Sequence, residues 1–102
     1  MDTPNATQPT PIHVLHNVAQ QRFECEVDGL WCRADYQLSN DVMHLTHTEV
    51  PQALAGRGIA AALVAAALAH ARSEKLKVNP ACSYVRSYMQ RHPETHSLRT
   101  WD

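Results

Sequence analysis

The amino-acid sequence predicts an α/β domain of the α+β type, a mostly antiparallel twisted sheet with two principal helices. Three observations carry this. Residues 23–38 alternate apolar and polar side chains on either side of Asp28-Gly29, a dipeptide suited to a two-residue hairpin turn because both positions tolerate positive φ. Beyond Pro51 the apolar spacing changes from a period of two to that of a helix. A short apolar run, Leu76 to Ala81, then precedes a second helical stretch, so the order is strands, helix, strand, helix.

The first residues, MDTPNATQPTP, are polar with three prolines and read as a disordered arm over 1–11, with no basic and apolar export signal. Without export, Asn5-Ala6-Thr7 is an accidental glycosylation tripeptide. A strand over Ile12 to Val18 is expected next. In the hairpin, a turn at Asp28-Gly29 places Val27 opposite Leu30 and Cys25 opposite Cys32. On the other face it pairs Glu24 with Arg33 and Arg22 with Asp35, and both charged pairs are complementary. Phe23, Cys25, Val27, Leu30, Cys32, Ala34, Tyr36 and Leu38 are expected to share the buried face.

Ser39-Asn40-Asp41 supplies the next turn, and VMHLTHTEV forms a strand that Pro51 ends by withdrawing a backbone donor. Gly58 to Glu74 reads as a helix whose many alanines favour helix and permit close approach to a sheet or ligand. After the strand at Leu76 to Ala81, Ser83 is the expected cap of a helix over Tyr84 to Arg91. It stops near His92 because Pro93 disfavours helix before it. The domain is thus drawn at 12–95, with a tail at 96–102.

Composition narrows the function. With 102 residues and 44% apolar content there is room for one small domain. A formal charge of -1 provides no basic field for nucleic acid or acidic lipid, so neither is an expected partner. The longest apolar run, Ile59 to Ala69, is eleven residues, against the roughly 20 that span a bilayer. Three cysteines, an odd number, fit a reducing cytoplasm better than a disulfide scaffold. The seven histidines are scattered and no C-x-x-C pair accompanies them, so no metal is expected.

The stretch LAGRGIAAALVA joins a strand to a helix through two glycines. Helix N-termini carry amides without internal partners and partial positive charge, which suits an anion. Gly56 and Gly58 keep side chains out of the way, and Arg57 adds a mobile cation suited to phosphate oxygens. A plain tight turn, with glycine chosen for positive φ, is the alternative. GRGIAA also satisfies G-x-G-x-x-A, the dinucleotide fingerprint. That fold needs an acidic residue about 20 positions on, where this chain has Lys75 and Lys77, and too little chain follows for the rest of its sheet.

The wider segment TEVPQALAGRGIAAALV resembles the acyl-CoA-binding motif of the GNAT superfamily of N-acetyltransferases, Q/R-x-x-G-x-G/A, with Gly58 and Ala60 at its last two positions. Ala55 stands at the first and departs from it. HTEVP, GRGIA, CSYV and HPE together resemble the small stand-alone GNAT-like proteins, over Gln21 to Glu94. The resemblance implies a minimal GNAT fold with acetyl-CoA in a cleft where two strands splay apart. It also implies pyrophosphate on the amides of Gly56 to Ala60, and pantetheine along the strand that ends at Val50. The expected binding residues are therefore Val50, Ala55, Gly56, Arg57, Gly58, Ile59 and Ala60.

Acyl transfer to an amine needs a proton acceptor, a polarised carbonyl and a protonated leaving thiolate. Cys82 closes a strand just before a helix start, where a thiol pKa is lowered, and the resemblance implies a possible acyl-cysteine route. His47 and Glu49, two apart on one strand face, can accept the amine's proton. Tyr84 and Tyr88, four apart, can line the cleft, and one hydroxyl can protonate the thiolate. Cys25 and Cys32 are read as core, and His92-Pro93-Glu94 as a helix terminator first. The expected function is acetyl-CoA-dependent N-acetylation of an amine acceptor, small molecule or protein, with a non-catalytic CoA-binding module as the alternative.

Overall fold

The computed structural model describes residues 11–100; all but the last residue of the expected arm, and residues 101–102 of the expected tail, lie outside the described residues. Five strands form one sheet in sequential order: β1 (Leu15–Asn17), β2 (Arg22–Val27), β3 (Leu30–Ser39), β4 (Val42–Glu49) and β5 (Lys77–Pro80). All neighbours are antiparallel except β4 and β5, which are parallel and joined by helix α1 (Ile59–Ser73). Helix α2 (Ser83–Arg91) and a 3-10 segment (Pro93–Leu98) follow. The α+β architecture is the expected one.

The hairpin has the register the charges dictate: Val27 faces Leu30, Cys25 faces Cys32, Glu24 faces Arg33 and Arg22 faces Asp35. Asp28 (φ 52°) and Gly29 (φ 78°) both take the left-handed conformation of the two-residue turn. Phe23, Cys25, Val27, Cys32, Ala34 and Tyr36 are buried against α1, but Leu30 and Leu38 are 39% and 50% exposed. These two stand near the ends of the ten-residue strand, although their partners Val27 and Met43 are buried, so alternation alone misassigned them. The first strand is also shorter than expected. Beyond Asn17 the chain turns, Gln21 donating its N–H to the Val18 carbonyl at 3.1 Å, and Leu15 and Val18 are exposed.

A bulge in β4 decides which side chains reach which face. Tyr36 pairs with Leu45, but Asp35 pairs with His47, so Thr46 is an extra residue. One inserted residue reverses the alternation. Met43 and Leu45 are fully buried on the helix side, whereas His47 and Glu49 are turned to the opposite face and Thr48 to the helix side.

Helix α1 starts after Gly58, its cap residue, and ends at Glu74. Lys75 then takes φ 59°, with its N–H on the Arg72 carbonyl at 3.2 Å and the Leu76 N–H on that of Ala71 at 2.8 Å. This paired arrangement reverses the chain into β5. Leu63, Val64, Ala67 and Ala71 form the buried stripe. For α2 the capping residue is Cys82, in extended conformation, and Ser83, the expected cap, is already helical. His92 ends that helix as expected. Residues 96–100, read as the beginning of a tail, pack against the domain instead. Leu98 is buried, Arg99 bridges Val78, and the Thr100 N–H reaches the Val78 carbonyl at 3.2 Å.

Between β1 and α1, His16 stacks on Phe23 with ring centroids 4.1 Å apart, its Nε2 lies 2.6 Å from the Tyr36 hydroxyl, and His70 approaches at 4.4 Å. Burial, and then His70, hold the His16 imidazole below its ordinary 6.5. The unfolded chain therefore binds this proton more readily than the folded one. Stability from this source is complete above about pH 6.5 and falls as pH drops through that value. Denaturant melts from about pH 7.5 to about pH 5.5, about one unit either side of the ordinary His pKa, are expected to show this slope, and His16→Gln to flatten it. An unchanged slope in the variant removes His16 as the cause.

Candidate active site

The pairing of β4 with β5 ends at Leu45 and Pro80, while β4 continues to Glu49. One more link follows, from the Cys82 N–H to the Leu45 carbonyl at 2.9 Å, and beyond it the two strands part. At this opening lies a cavity of about 310 Å³ lined by Val50, Ala55, Gly56, Arg57, Gly58, Ile59 and Ala60, with Tyr84 on the α2 side. All seven residues expected to bind the cofactor thus converge. Gln52, Leu54 and Ala61 also line it and were not anticipated, since they fall outside the Q/R-x-x-G-x-G/A pattern at 55–60.

Gly56 and Gly58 have φ 79° and 78°, so the turn needs glycine for its conformation. A Cβ added at either would meet nothing within 4 Å, so the space before the turn is open as well. The glycines thus serve the conformation of the turn and leave open space in front of it. Ala62 donates the first helical hydrogen bond, to the Gly58 carbonyl at 3.1 Å, which leaves the amides of Ile59, Ala60 and Ala61 ahead of the helical ladder. Small walls, free amides and a nearby guanidinium suit a diphosphate. Arg57 is not the mobile cation expected: its Nη1 donates to Asp28 Oδ2 at 2.7 Å.

Cys82 stands at the start of α2, half-buried, with its sulfur 3.6 Å from the Thr48 hydroxyl. Burial pushes its thiol up. Hydrogen bonding to the thiolate from the Val85 amide, the Thr48 hydroxyl and backbone, and the Tyr84 amide outweighs this and holds it below 9.0. Thr48 was not anticipated, because only the bulge turns it toward Cys82. The other two cysteines are free and buried, and burial followed by the neighbouring Cys32 pushes Cys25 up to about 11. They are core thiols, as read.

His47 and Glu49 stand on the outer face of the sheet, opposite the side that faces Cys82. Their side chains meet at 3.2 Å, and Arg33 Nη2 lies 3.1 Å from the same Glu49 oxygen. Arg33 also donates through Nε to Asp35 at 3.0 Å. That hydrogen bond, opposed by burial and aided by the charges of Asp35 and Glu49, raises the guanidinium pKa further. The four expected catalytic residues thus divide at the strand opening, with Cys82 and Tyr84 on the helix side and His47 and Glu49 outside.

Tyr88 stacks on His92 with centroids 3.9 Å apart, and this is packing. His92 and His96 are four apart, a spacing known from zinc sites, but one ring nitrogen of each lies 2.7–2.8 Å from a backbone carbonyl oxygen, of Tyr88 and Met89 respectively. Among the described residues no group of three or more His, Cys, Asp or Glu gathers for a metal. No helix among them is long and apolar enough to cross a membrane.

A strand opening beside a glycine turn and helix N-terminus is the arrangement the sequence resemblance implied. Residues 22–98 match the family described as GCN5-related N-acetyl-transferase. The chain belongs to this family. Protein NATD1 of Gallus gallus is 37% identical over 90 residues, covering 84% of this chain and 81% of that protein. Protein NATD1 of Homo sapiens is 37% identical over 90 residues, covering 84% and 79%. The solution structure of a GCN5-like protein from Staphylococcus aureus superposes with a TM-score of 0.69 at 21% identity, over 85% of this chain and 86% of that one. This last likeness shows the fold, and the family relationship rests on the sequence matches.

Proposed function

We propose that this GCN5-related protein binds acetyl-CoA in the glycine-turn cavity and transfers its acetyl group to an amine. The observation that carries the reading is the convergence of Val50 and residues 55–60 with Tyr84 on one cavity at the β4–β5 opening. Acetyl-CoA supplies the activated acetyl group. The amides of Ile59 to Ala61 hold its diphosphate, and the part of β4 beyond Leu45, without a β5 partner, offers its peptide edge to the pantetheine arm. Cys82 and Tyr84 face the thioester from the helix side. The amine approaches from the outer face, where Glu49 or His47 accepts its proton. In the covalent route Cys82 forms the new carbon–sulfur bond as the bond to CoA breaks. The thiol proton passes to the departing CoA by way of the Tyr84 hydroxyl, and the amine then releases Cys82.

The three free cysteines support a cytoplasmic setting as part of this reading. Calorimetry with CoA, joined to mass spectrometry of amines, peptides and proteins incubated with acetyl-CoA, tests it: CoA binding with acetylated product is expected. CoA binding without turnover on any acceptor favours the second reading, a CoA-binding module. The absence of a Gln or Arg side chain at Ala55 supports that alternative. No binding of CoA overturns both.

A further inference from the structure

We propose that Asp28, at the tip of the β2–β3 hairpin, limits the affinity of the glycine-turn cavity for its polyanionic ligand by holding Arg57. The inference rests on reading that cavity as the CoA site. Among the described residues that line it, Arg57 is the one that carries a charge, because Ala55 offers none. That guanidinium donates to Asp28 at 2.7 Å, across 29 positions of sequence. The pair is neutral as a unit. The phosphates of CoA must therefore compete with a carboxylate for the cation, and approach that carboxylate in doing so.

Backbone geometry fixes both partners. Asp28 and Gly29 lock the hairpin turn at positive φ, and the Val27–Leu30 pair sets where its tip stands. Arg57 is held between two glycines that are themselves at positive φ. The side chains are 38% and 55% exposed for Arg57 and Asp28, so the ion pair is weak enough to exchange for a phosphate. Asp28 is thus an affinity-determining residue that belongs to no glycine motif.

Asp28→Asn is a clean variant, because Asn-Gly is a preferred pair for this turn and the hairpin is retained. Titration with CoA at low salt is expected to show binding about 3- to 5-fold tighter than wild type, with the gain shrinking at about 0.5 M salt. In an Arg57→Ala background the same change is expected to gain less than about twofold, since no cation remains to release. An equal gain with and without Arg57 overturns the inference, because the carboxylate then acts on the ligand directly. Unchanged or weaker binding by Asp28→Asn also overturns it. Wild-type protein that fails to bind CoA overturns the reading of the cavity itself, and this inference with it.

Discussion

Ala60→Glu is expected to reduce CoA affinity by on the order of 100-fold or more while leaving thermal stability equal to or above that of the wild type. The two effects have opposite signs for one physical reason. Ala60 lines the cavity in the first turn of α1, a turn that has no acidic residue. A carboxylate there interacts favourably with the helix dipole, by about 0.3–1 kcal/mol. The same carboxylate stands where the diphosphate would bind. Two like charges about 4 Å apart repel by about 4 kcal/mol at an effective dielectric near 20. That exceeds the roughly 2.7 kcal/mol of a 100-fold loss. Substituting Gly58 confuses the question, since any side chain at φ 78° strains the backbone by roughly 1 kcal/mol or more. Calorimetry and thermal melts of Ala60→Glu check both halves, and wild-type affinity in this variant excludes the glycine-turn site.

The hairpin was legible because its information is local: Asp28-Gly29 names the turn, and two charged cross-strand pairs agree with it. The cavity was legible for the same reason, since its glycines, amides and alanines follow one another in the chain. What failed to show were facts that depend on the neighbours of a strand. Leu30 and Leu38 follow the buried alternation yet are exposed near the two ends of their strand. Strict alternation puts His47 and Glu49 on the face of Met43 and Leu45, but the extra residue at Thr46 sends them to the other side and brings Thr48 to Cys82. Nothing in HLTHTEV marks that insertion. Likewise, the Arg57–Asp28 bond joins a turn to a hairpin tip 29 residues away, beyond the reach of any local pattern.

The division of candidates between two faces makes Cys82→Ala the decisive substitution for mechanism. If Cys82 is the nucleophile, the protein incubated with acetyl-CoA and no acceptor is expected to gain one acetyl group that hydroxylamine removes. Cys82→Ala then loses that adduct and on the order of 100-fold or more of turnover. Hydrogen bonding holds the thiol below 9.0, so adduct formation is expected to rise with pH with its midpoint below that value. Thr48→Val removes a hydrogen bond that favours the thiolate, and is expected to move that midpoint upward. A thiol with a purely structural role predicts none of this. Direct attack by the amine gives no adduct and leaves Cys82→Ala largely active, while Glu49→Gln or His47→Gln lowers activity and changes its pH profile. Peptide mapping must place the acetyl group on Cys82, because Cys25 and Cys32 become reactive once the buried core opens. An adduct that appears only in unfolded protein, or a Cys82→Ala variant with wild-type turnover, excludes the acyl-cysteine route and leaves the outer-face pair to carry the proton transfer.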